Sequence, residues 1–122
     1  MRSQSALSEH AIQAAFVAWA GLQLGVFPEL KLLYAIPNGG KRHKVVAAKL
    51  KAEGVKRGVP DLHLPVSRGV YHGLWIETKT PEGVLSDEQN HFHELLRKEG
   101  HAVIVCRSIE QCIEGVRAYL RT

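Results

Sequence analysis

Two short apolar segments joined by a brief connection constrain the fold of this chain more than any other feature. The segment LHLPV at 62–66 places Leu62 and Leu64 on one face of a strand, and LWIETKT at 74–80 begins apolar and ends charged. The residues between them, SRGVYHG, are typical of a hairpin turn. We therefore predict two strands paired in a hairpin.

Charged side chains collect on one face of this predicted hairpin. Side chains alternate across a strand, so Trp75, Glu77 and Lys79 share one side. Asp61 and His63 share a face of the neighbouring strand, and pairing would bring Asp61 toward Glu77. Two close carboxylates repel each other unless a cation lies between them, and their hard oxygen atoms suit Mg²⁺ or Mn²⁺. The alternative is a weak, exposed ion pair between Glu77 and Lys79.

The segments before the hairpin predict a helix, a strand and a second helix. Apolar residues recur at helical spacing after Ser8, which can cap the first helix. Residues 30–36 are apolar and end in PNGG, which indicates a strand followed by a tight turn. In the basic segment that follows, Val45, Val46 and Leu50 mark the apolar side of the second helix.

The segments after the hairpin predict a helix, a strand and a final helix. SDEQ at 86–89 and SIEQ at 108–111 have the Ser-x-x-Gln form of a capping box, and the apolar strand HAVIVC lies between their helices. The predicted order is helix, strand, helix, strand, strand, helix, strand, helix. A central hairpin and a strand–helix–strand crossover indicate an α/β fold in which helices flank a small mixed sheet.

Composition indicates a single domain in a reducing compartment. The 122 residues are 45% hydrophobic and 23% charged, which suits one compact domain over residues 1–122. No apolar run approaches the ~20 residues that span a bilayer, and the first ten residues lack a secretory signal pattern. We expect a cytoplasmic protein without membrane association, in which Cys106 and Cys112 are buried and reduced.

Positive charge is concentrated in one segment. Residues 41–57 contain seven Lys or Arg side chains and one acid, Glu53, whereas the whole chain has a net charge of only +4. Such a segment is typical of a surface that binds a polyanion, most commonly a phosphate backbone. The alternative is a solvated helix face without a partner.

Several motifs together resemble a known nuclease family. GVPDL, which contains Asp61, and IETK, which contains Glu77 and Lys79, resemble the PD-(D/E)xK nuclease signature. Glu9 and Gln13 on the first helix, PNGG after the first strand and LSDEQ at the next helix extend the pattern. The chain is similar to stand-alone members of the VRR-NUC family, the virus-type replication-repair nucleases, and the resemblance implies the PD-(D/E)xK restriction-endonuclease-like core.

The resemblance implies a role for each site residue. Asp61 and Glu77 would bind Mg²⁺ or Mn²⁺ with the backbone carbonyl of Thr78, and Lys79 would serve the attacking water. Glu9 would complete the site through a water on the ion. Its alternative role is that of an acid in the first turn, favoured by the helix dipole.

Gln89, near the start of the next helix, has two possible roles. The resemblance implies that Gln89 lies near the catalytic site. The alternative is that it serves only as the distal residue of a capping box. The two roles are compatible.

The resemblance also implies a reaction and a substrate. It implies phosphodiester hydrolysis that leaves a 5′-phosphate and a 3′-hydroxyl, by a homodimer that nicks two strands of a four-way Holliday junction. A bacterial host, with the gene carried by a phage or prophage, is the implied setting. The alternatives are a flap or restriction-like endonuclease, or a nucleic-acid-binding module without catalysis.

The basic segment and the preceding turn supply the predicted contacts to DNA. Glycines in PNGG let backbone amides approach a phosphate closely, although the motif also suits a simple turn. Lys and Arg contacts to phosphates position a strand without reading its sequence. The predicted DNA-binding residues are Asn38, Gly39, Gly40, Lys41, Arg42, Lys44, Lys49, Lys56 and Arg57.

The histidines give weaker signals. His91 and His93 are two positions apart on a helix, so they point in different directions and cannot act as an i, i+4 metal pair. His63 shares the face of Asp61, where it would either touch phosphate or water, or be partly buried and hydrogen-bonded. The other histidines receive no role.

Overall fold

The computed structural model describes residues 7–37 and 44–122. The helices are α1 (Glu9–Leu22), α2 (Lys44–Ala52), α3 (Asp87–Lys98) and α4 (Ile109–Leu120), with a 3₁₀ helix at Pro28–Leu32. The strands are β1 (Tyr34–Ala35), β2 (Leu62–Leu64), β3 (Leu74–Thr78) and β4 (Ala102–Cys106).

The four strands form one mixed sheet in the order β1-β2-β3-β4. Strand β2 pairs antiparallel with β1 and with β3, and Leu62 lies opposite Ile76. Strand β3 pairs parallel with β4, and α3 forms the crossover between them. The predicted hairpin and the predicted mixed α/β fold are therefore confirmed.

The hydrophobic core lies where α1 and α4 pack together and against the sheet. Alternation places Leu62 and Leu64 of β2 on the same face as Leu74 and Ile76 of β3, and all four are fully buried. The largest contribution from α1 is Phe16, which is also fully buried. This packing fixes β2 and β3, and through them the polar residues on the opposite face of the hairpin.

The predicted strand over residues 30–36 is wrong in its extent. Residues Pro28–Leu32 form a 3₁₀ helix, and only Tyr34–Ala35 are extended. Pro28 begins the helix because its fixed φ suits a first helical turn. Leu30 is buried in the core cluster, so the turn is held by packing that an apolar run alone does not reveal.

The predicted apolar side of α2 does not pack on the core. The side chains of Val45 and Val46 are 66% and 44% exposed, and α2 contains no buried residue between Lys44 and Ala52. Burying this narrow stripe would also desolvate the neighbouring lysine ammonium groups, at a high cost in free energy. The helix ends at Ala52, and Gly54 follows with a φ of 101°, which suits glycine.

The two cysteines are buried and free, as predicted. A hydrogen bond with Cys112, followed by burial, raises the pKa of the Cys106 thiol far above its ordinary value. Within residues 7–37 and 44–122, no helix combines the length and apolar character required to cross a bilayer.

Candidate active site

The hairpin places Asp61 and Glu77 side by side at one end of the sheet. Leu62 pairs with Ile76, so the residues that flank this pair, Asp61 and Glu77, are neighbours across the two strands. The two side chains are close enough for Asp61 to raise the pKa of Glu77. Glu77 is only 1% exposed, which excludes the exposed ion pair as a description of this strand end.

Thr78 holds Asp61 in place. Oδ2 of Asp61 accepts a hydrogen bond from the Thr78 backbone N–H at 2.7 Å and another from the Thr78 hydroxyl at 2.9 Å. These bonds cross from β3 to the residue that precedes β2. The Asp61 carboxylate is therefore fixed beside Glu77 by the strand that carries Glu77.

Burial and negative charge raise the pKa of Glu77 to about 9. Desolvation is the largest cause, followed by the charge of Asp61 and the hydrogen bond with it. The positive charge of Lys79 opposes this rise, and the negative charge of Glu9 adds to it. Glu77 therefore ionises at neutral pH only when additional positive charge is close.

Lys79 follows β3 directly and is held by the loop that comes after it. Its backbone N–H donates to the Cys106 carbonyl at 2.9 Å, and its side chain is 8% exposed. A Cβ on Gly83 would lie 3.4 Å from Cδ of Lys79, so the loop folds back against the lysine stem. Burial and this contact restrict the positions that the Lys79 ammonium group can take.

Arg107 fixes the same loop from the end of β4. Its Nη1 donates to the carbonyls of Thr80, Pro81 and Gly83 at 2.8, 3.3 and 2.6 Å. A single guanidinium nitrogen therefore binds three carbonyl groups of the turn that follows Lys79. No pattern in the sequence indicated this role for Arg107.

Glu9 lies at the first position of α1, close enough for its charge to act on Glu77. Ser8 caps the helix by accepting a hydrogen bond from the Ala11 N–H at 3.0 Å. The Glu9 side chain is exposed, as is common for an acid in a first turn. Its position is compatible with binding an ion through water and with the role of an acid in the first turn.

Gln89 both completes a capping box and contacts the acidic pair. Its Oε1 accepts a hydrogen bond from the Ser86 N–H at 2.9 Å, and its N–H donates to the Ser86 hydroxyl, which completes a capping box. Its Nε2 donates to Oε2 of Glu77 at 3.4 Å. The residue that caps α3 therefore also contacts the acidic pair.

His93 contacts the acidic pair, and the sequence did not predict it as a site residue. Its Nε2 lies 3.0 Å from Oε1 of Glu77, and both side chains are almost completely buried. Burial is the main cause that lowers the pKa of His93. The available signal was its spacing from Gln89, because residues at i and i+4 lie on one face of a helix.

His63 is partly buried and hydrogen-bonded, which is the second of the two alternatives predicted for it. Its Nδ1 lies 2.7 Å from the Tyr34 hydroxyl, and its ring stacks on Trp75 with centroids 3.8 Å apart. Burial is the main cause that lowers its pKa, followed by the charge of His101. The imidazole is therefore held within an aromatic cluster.

Four of the nine predicted DNA-binding residues lie in the described part of the chain. Lys44, Lys49, Lys56 and Arg57 are all exposed, and Arg57 is 4.0 Å from Glu88 on α3. The other five lie outside the described residues: Asn38, Gly39, Gly40, Lys41 and Arg42. The four described cations are accessible to a polyanion.

Comparison with known proteins identifies the family. The VRR-NUC domain profile matches residues 4–110 of the chain. The chain belongs to the VRR-NUC family. A solved structure described as a VRR_NUC domain protein is similar to it, with 30% sequence identity and a TM-score of 0.80 over 96% of this chain and 91% of that chain. No curated protein matches it.

Membership of the VRR-NUC family implies the general activity of a nuclease. The domain belongs to a superfamily of nucleases, so its substrate class is nucleic acid. The resemblance inferred from the PDL, ETK and LSDEQ motifs is therefore confirmed at the level of the family and of the fold.

The donors of this VRR-NUC site suit a hard divalent cation. The residues that the structure describes contain no group of three or more His, Cys, Asp or Glu side chains arranged to hold an ion. An ion here would depend on the carboxylates of Asp61 and Glu77, the Thr78 carbonyl and water. Mg²⁺ and Mn²⁺ fit this oxygen set, because Mg²⁺ usually keeps several waters. The raised pKa of Glu77 is consistent with a site that receives added positive charge.

Proposed function

We propose that this VRR-NUC domain is a DNA endonuclease that depends on Mg²⁺ or Mn²⁺ and hydrolyses phosphodiester bonds. The observation that carries the proposal is the position of Asp61 beside the buried Glu77, next to a buried lysine. Two carboxyl groups this close, one of them buried, repel each other when both are ionised unless positive charge lies nearby. A divalent cation that also contacts a phosphate meets that need.

Each residue of the site would have a role in hydrolysis that suits its chemistry. Asp61, Glu77 and the Thr78 carbonyl would hold the ion, which when bound supplies positive charge for the phosphate and lowers the pKa of water. The Lys79 ammonium orients the attacking water and stabilises negative charge that develops on the phosphate. Glu9, whose charge acts on Glu77 from the first turn of α1, would bind water at the site. The products would be a 5′-phosphate and a 3′-hydroxyl.

The preferred substrate in this proposal is a four-way DNA junction, cut by a homodimer. The cations Lys44, Lys49, Lys56 and Arg57 supply contacts to phosphate, which do not depend on sequence. Selectivity would then come from the shape of the branch. The acidic pair forms one active site in each chain, so paired nicks in two strands require two chains.

Cleavage assays on three matched DNA substrates test the proposal. We expect a four-way junction to be cut faster than a flap or a linear duplex, only with Mg²⁺ or Mn²⁺, and by a species whose solution mass is that of a dimer. Asp61→Asn should abolish cleavage, and Asp87→Asn, which changes an exposed aspartate at the start of α3, is the matched control.

Different results separate the alternatives. Faster cleavage of the flap or the duplex would favour a flap or restriction-like endonuclease with the same residues. Binding without cleavage at any concentration of either ion would indicate a nucleic-acid-binding module. Cleavage that persists in pure Asp61→Asn protein would refute the assignment of the active site.

A further inference from the structure

The inner side of α3 is built around a polar residue. Within this helix, Asp87–Lys98, His93 is the one buried residue, with 1% of its surface exposed. The buried position of an amphipathic helix is normally apolar, because burying an imidazole removes its hydrogen bonds to water. His93 occurs there with a specific polar partner, the Glu77 carboxylate.

Gln89 and His93 divide the two oxygens of Glu77 between them. Nε2 of Gln89 is 3.4 Å from Oε2, and Nε2 of His93 is 3.0 Å from Oε1. The two residues are one helical turn apart, so both oxygens of the Glu77 carboxylate are contacted from a single face of α3. The capping box fixes Gln89 at the start of the helix. Both contacts that restrict rotation of the Glu77 carboxylate therefore come from the same helix.

We propose that His93 is a positioning residue, whose Nε2–H donates to Oε1 of Glu77 and holds that carboxylate in the orientation that binds the divalent cation. This inference rests on the proposed function, because it assumes that Glu77 is a ligand. Partners that orient a metal-binding side chain typically change the affinity for the metal by about 10- to 100-fold when removed.

The chemistry of the pair fixes the direction of the hydrogen bond. Glu77 is an ionised carboxylate when it binds a cation, and an ionised carboxylate only accepts hydrogen bonds. His93 must therefore carry its proton on Nε2 in that state. An imidazole suits this position, because it presents one N–H from a flat, rigid ring on the buried side of α3.

Two nearly isosteric substitutions separate the hydrogen bond from the packing. His93→Gln keeps an N–H that can reach Glu77, whereas His93→Met fills a similar volume and cannot donate. His91→Met is the matched control, since His91 is exposed on the same helix. Binding of Mn²⁺, without DNA, is measured by counting the free ion by electron paramagnetic resonance, and folding is checked by thermal melting.

We expect His93→Met to weaken Mn²⁺ binding about 10-fold or more. His93→Gln should restore most of the affinity, and His91→Met should bind like the wild type. Equal affinities for folded His93→Met and wild type would overturn the positioning role while leaving the proposed nuclease intact. A wild type that neither binds Mn²⁺ nor cuts DNA would overturn both.

A measurement on the unmodified protein tests the same role without relying on a variant that folds. Nitrogen-15 NMR of the Mg²⁺-loaded protein reports which ring nitrogen of His93 carries the proton. We expect protonated Nε2, whereas an unprotonated Nε2 would overturn the proposal even with cleavage activity unchanged.

Discussion

Asp61 accepts two hydrogen bonds from Thr78, one from the backbone N–H and one from the hydroxyl, and both reach the same oxygen, Oδ2. Thr78 lies between Glu77 and Lys79 in the ETK motif. One residue of the ETK motif therefore serves the aspartate of the PDL motif. The two motifs form a hydrogen-bonded unit across the hairpin.

This unit predicts that Thr78→Val weakens both the fold and the site. Valine keeps the shape of threonine but removes the hydroxyl that donates to Asp61 at 2.9 Å. We expect a decrease of about 1 to 3 kcal/mol in the free energy of unfolding, because a partly buried carboxylate is deprived of one donor. Chemical denaturation measures this decrease, and Mn²⁺ affinity should fall with it.

Thr122→Val is the control for that experiment, because the Thr122 hydroxyl donates to the Ala118 carbonyl on an exposed surface. We expect it to leave Mn²⁺ affinity unchanged. Equal effects of the two substitutions on Mn²⁺ binding would contradict a specific link between Thr78 and Asp61.

Glu77 predicts an unusual dependence of stability on pH in the absence of divalent ions. Its pKa is about 9 in the folded chain and 4.5 as an ordinary glutamate, so between these values the folded state binds the extra proton. The free energy of unfolding should therefore be highest below pH 4.5, as far as this group is concerned, and should fall as pH rises toward 9. The slope for one proton is at most about 1.4 kcal/mol per pH unit.

Glu77→Gln tests this dependence, because glutamine resembles the protonated acid and does not titrate. In EDTA at about pH 8, we expect the variant to be more stable than the wild type in urea unfolding. Adding Mg²⁺ should stabilise the wild type and have little effect on the variant. A wild type whose stability does not change between about pH 5 and 8, relative to the variant, would refute the raised pKa.

Local patterns in the sequence predicted the parts of the site that depend on neighbouring residues. Alternation along two strands brought Asp61 and Glu77 to one face, and Ser86 with Gln89 predicted a capping box that the structure contains. The period of a strand and the spacing of a cap are local properties. They need no knowledge of the rest of the fold.

The contacts that the sequence did not predict depend on how whole elements pack. His93 reaches Glu77 because the crossover helix α3 packs against β4, the strand beside β3. Arg107 reaches the 80–83 loop from the end of another strand. The extent of β1 was wrong for a related reason, since Leu30 turns into the core from a 3₁₀ helix. An apolar residue looks the same in a strand and in a short helix.

Arg107 predicts a link between the loop after β3 and the action of Lys79. Its Nη1 binds three carbonyls of the loop whose Gly83 packs on the lysine stem, so Arg107→Met should loosen this loop. We expect cleavage to slow by about 10-fold or more, as follows when a catalytic group is misplaced. Hydrogen exchange should accelerate at the Gly83 N–H, which donates to Thr80.

Arg121→Met is the control for this substitution, because Arg121 is exposed beyond α4. Slower cleavage by Arg107→Met with unchanged exchange in residues 80–83 would exclude the loop as the cause. The arginine would then have to act on the substrate directly.

Lys49 and Lys56 predict how strongly the affinity for DNA depends on salt. Both are exposed cations in the basic segment, and α2 buries none of its residues in the described structure. Removing one lysine that binds a phosphate of duplex DNA should reduce the slope of log affinity against log salt by about 0.9. Replacing both by glutamine should therefore lower the slope by up to about 1.8, and raise KM more than it lowers kcat, because the catalytic residues are unchanged.

Lys31 and Lys98 provide a control with the same change in net charge. Both are exposed, and they lie on the 3₁₀ helix and at the end of α3 instead of in the basic segment. If phosphates bind the basic segment, replacing Lys31 and Lys98 by glutamine should leave the slope unchanged. If DNA responds only to total charge, the two double variants should bind alike at every salt concentration. Fluorescence anisotropy with a catalytically inactive Asp61→Asn background measures the slopes without cleavage, so binding can be assigned to a surface independently of catalysis.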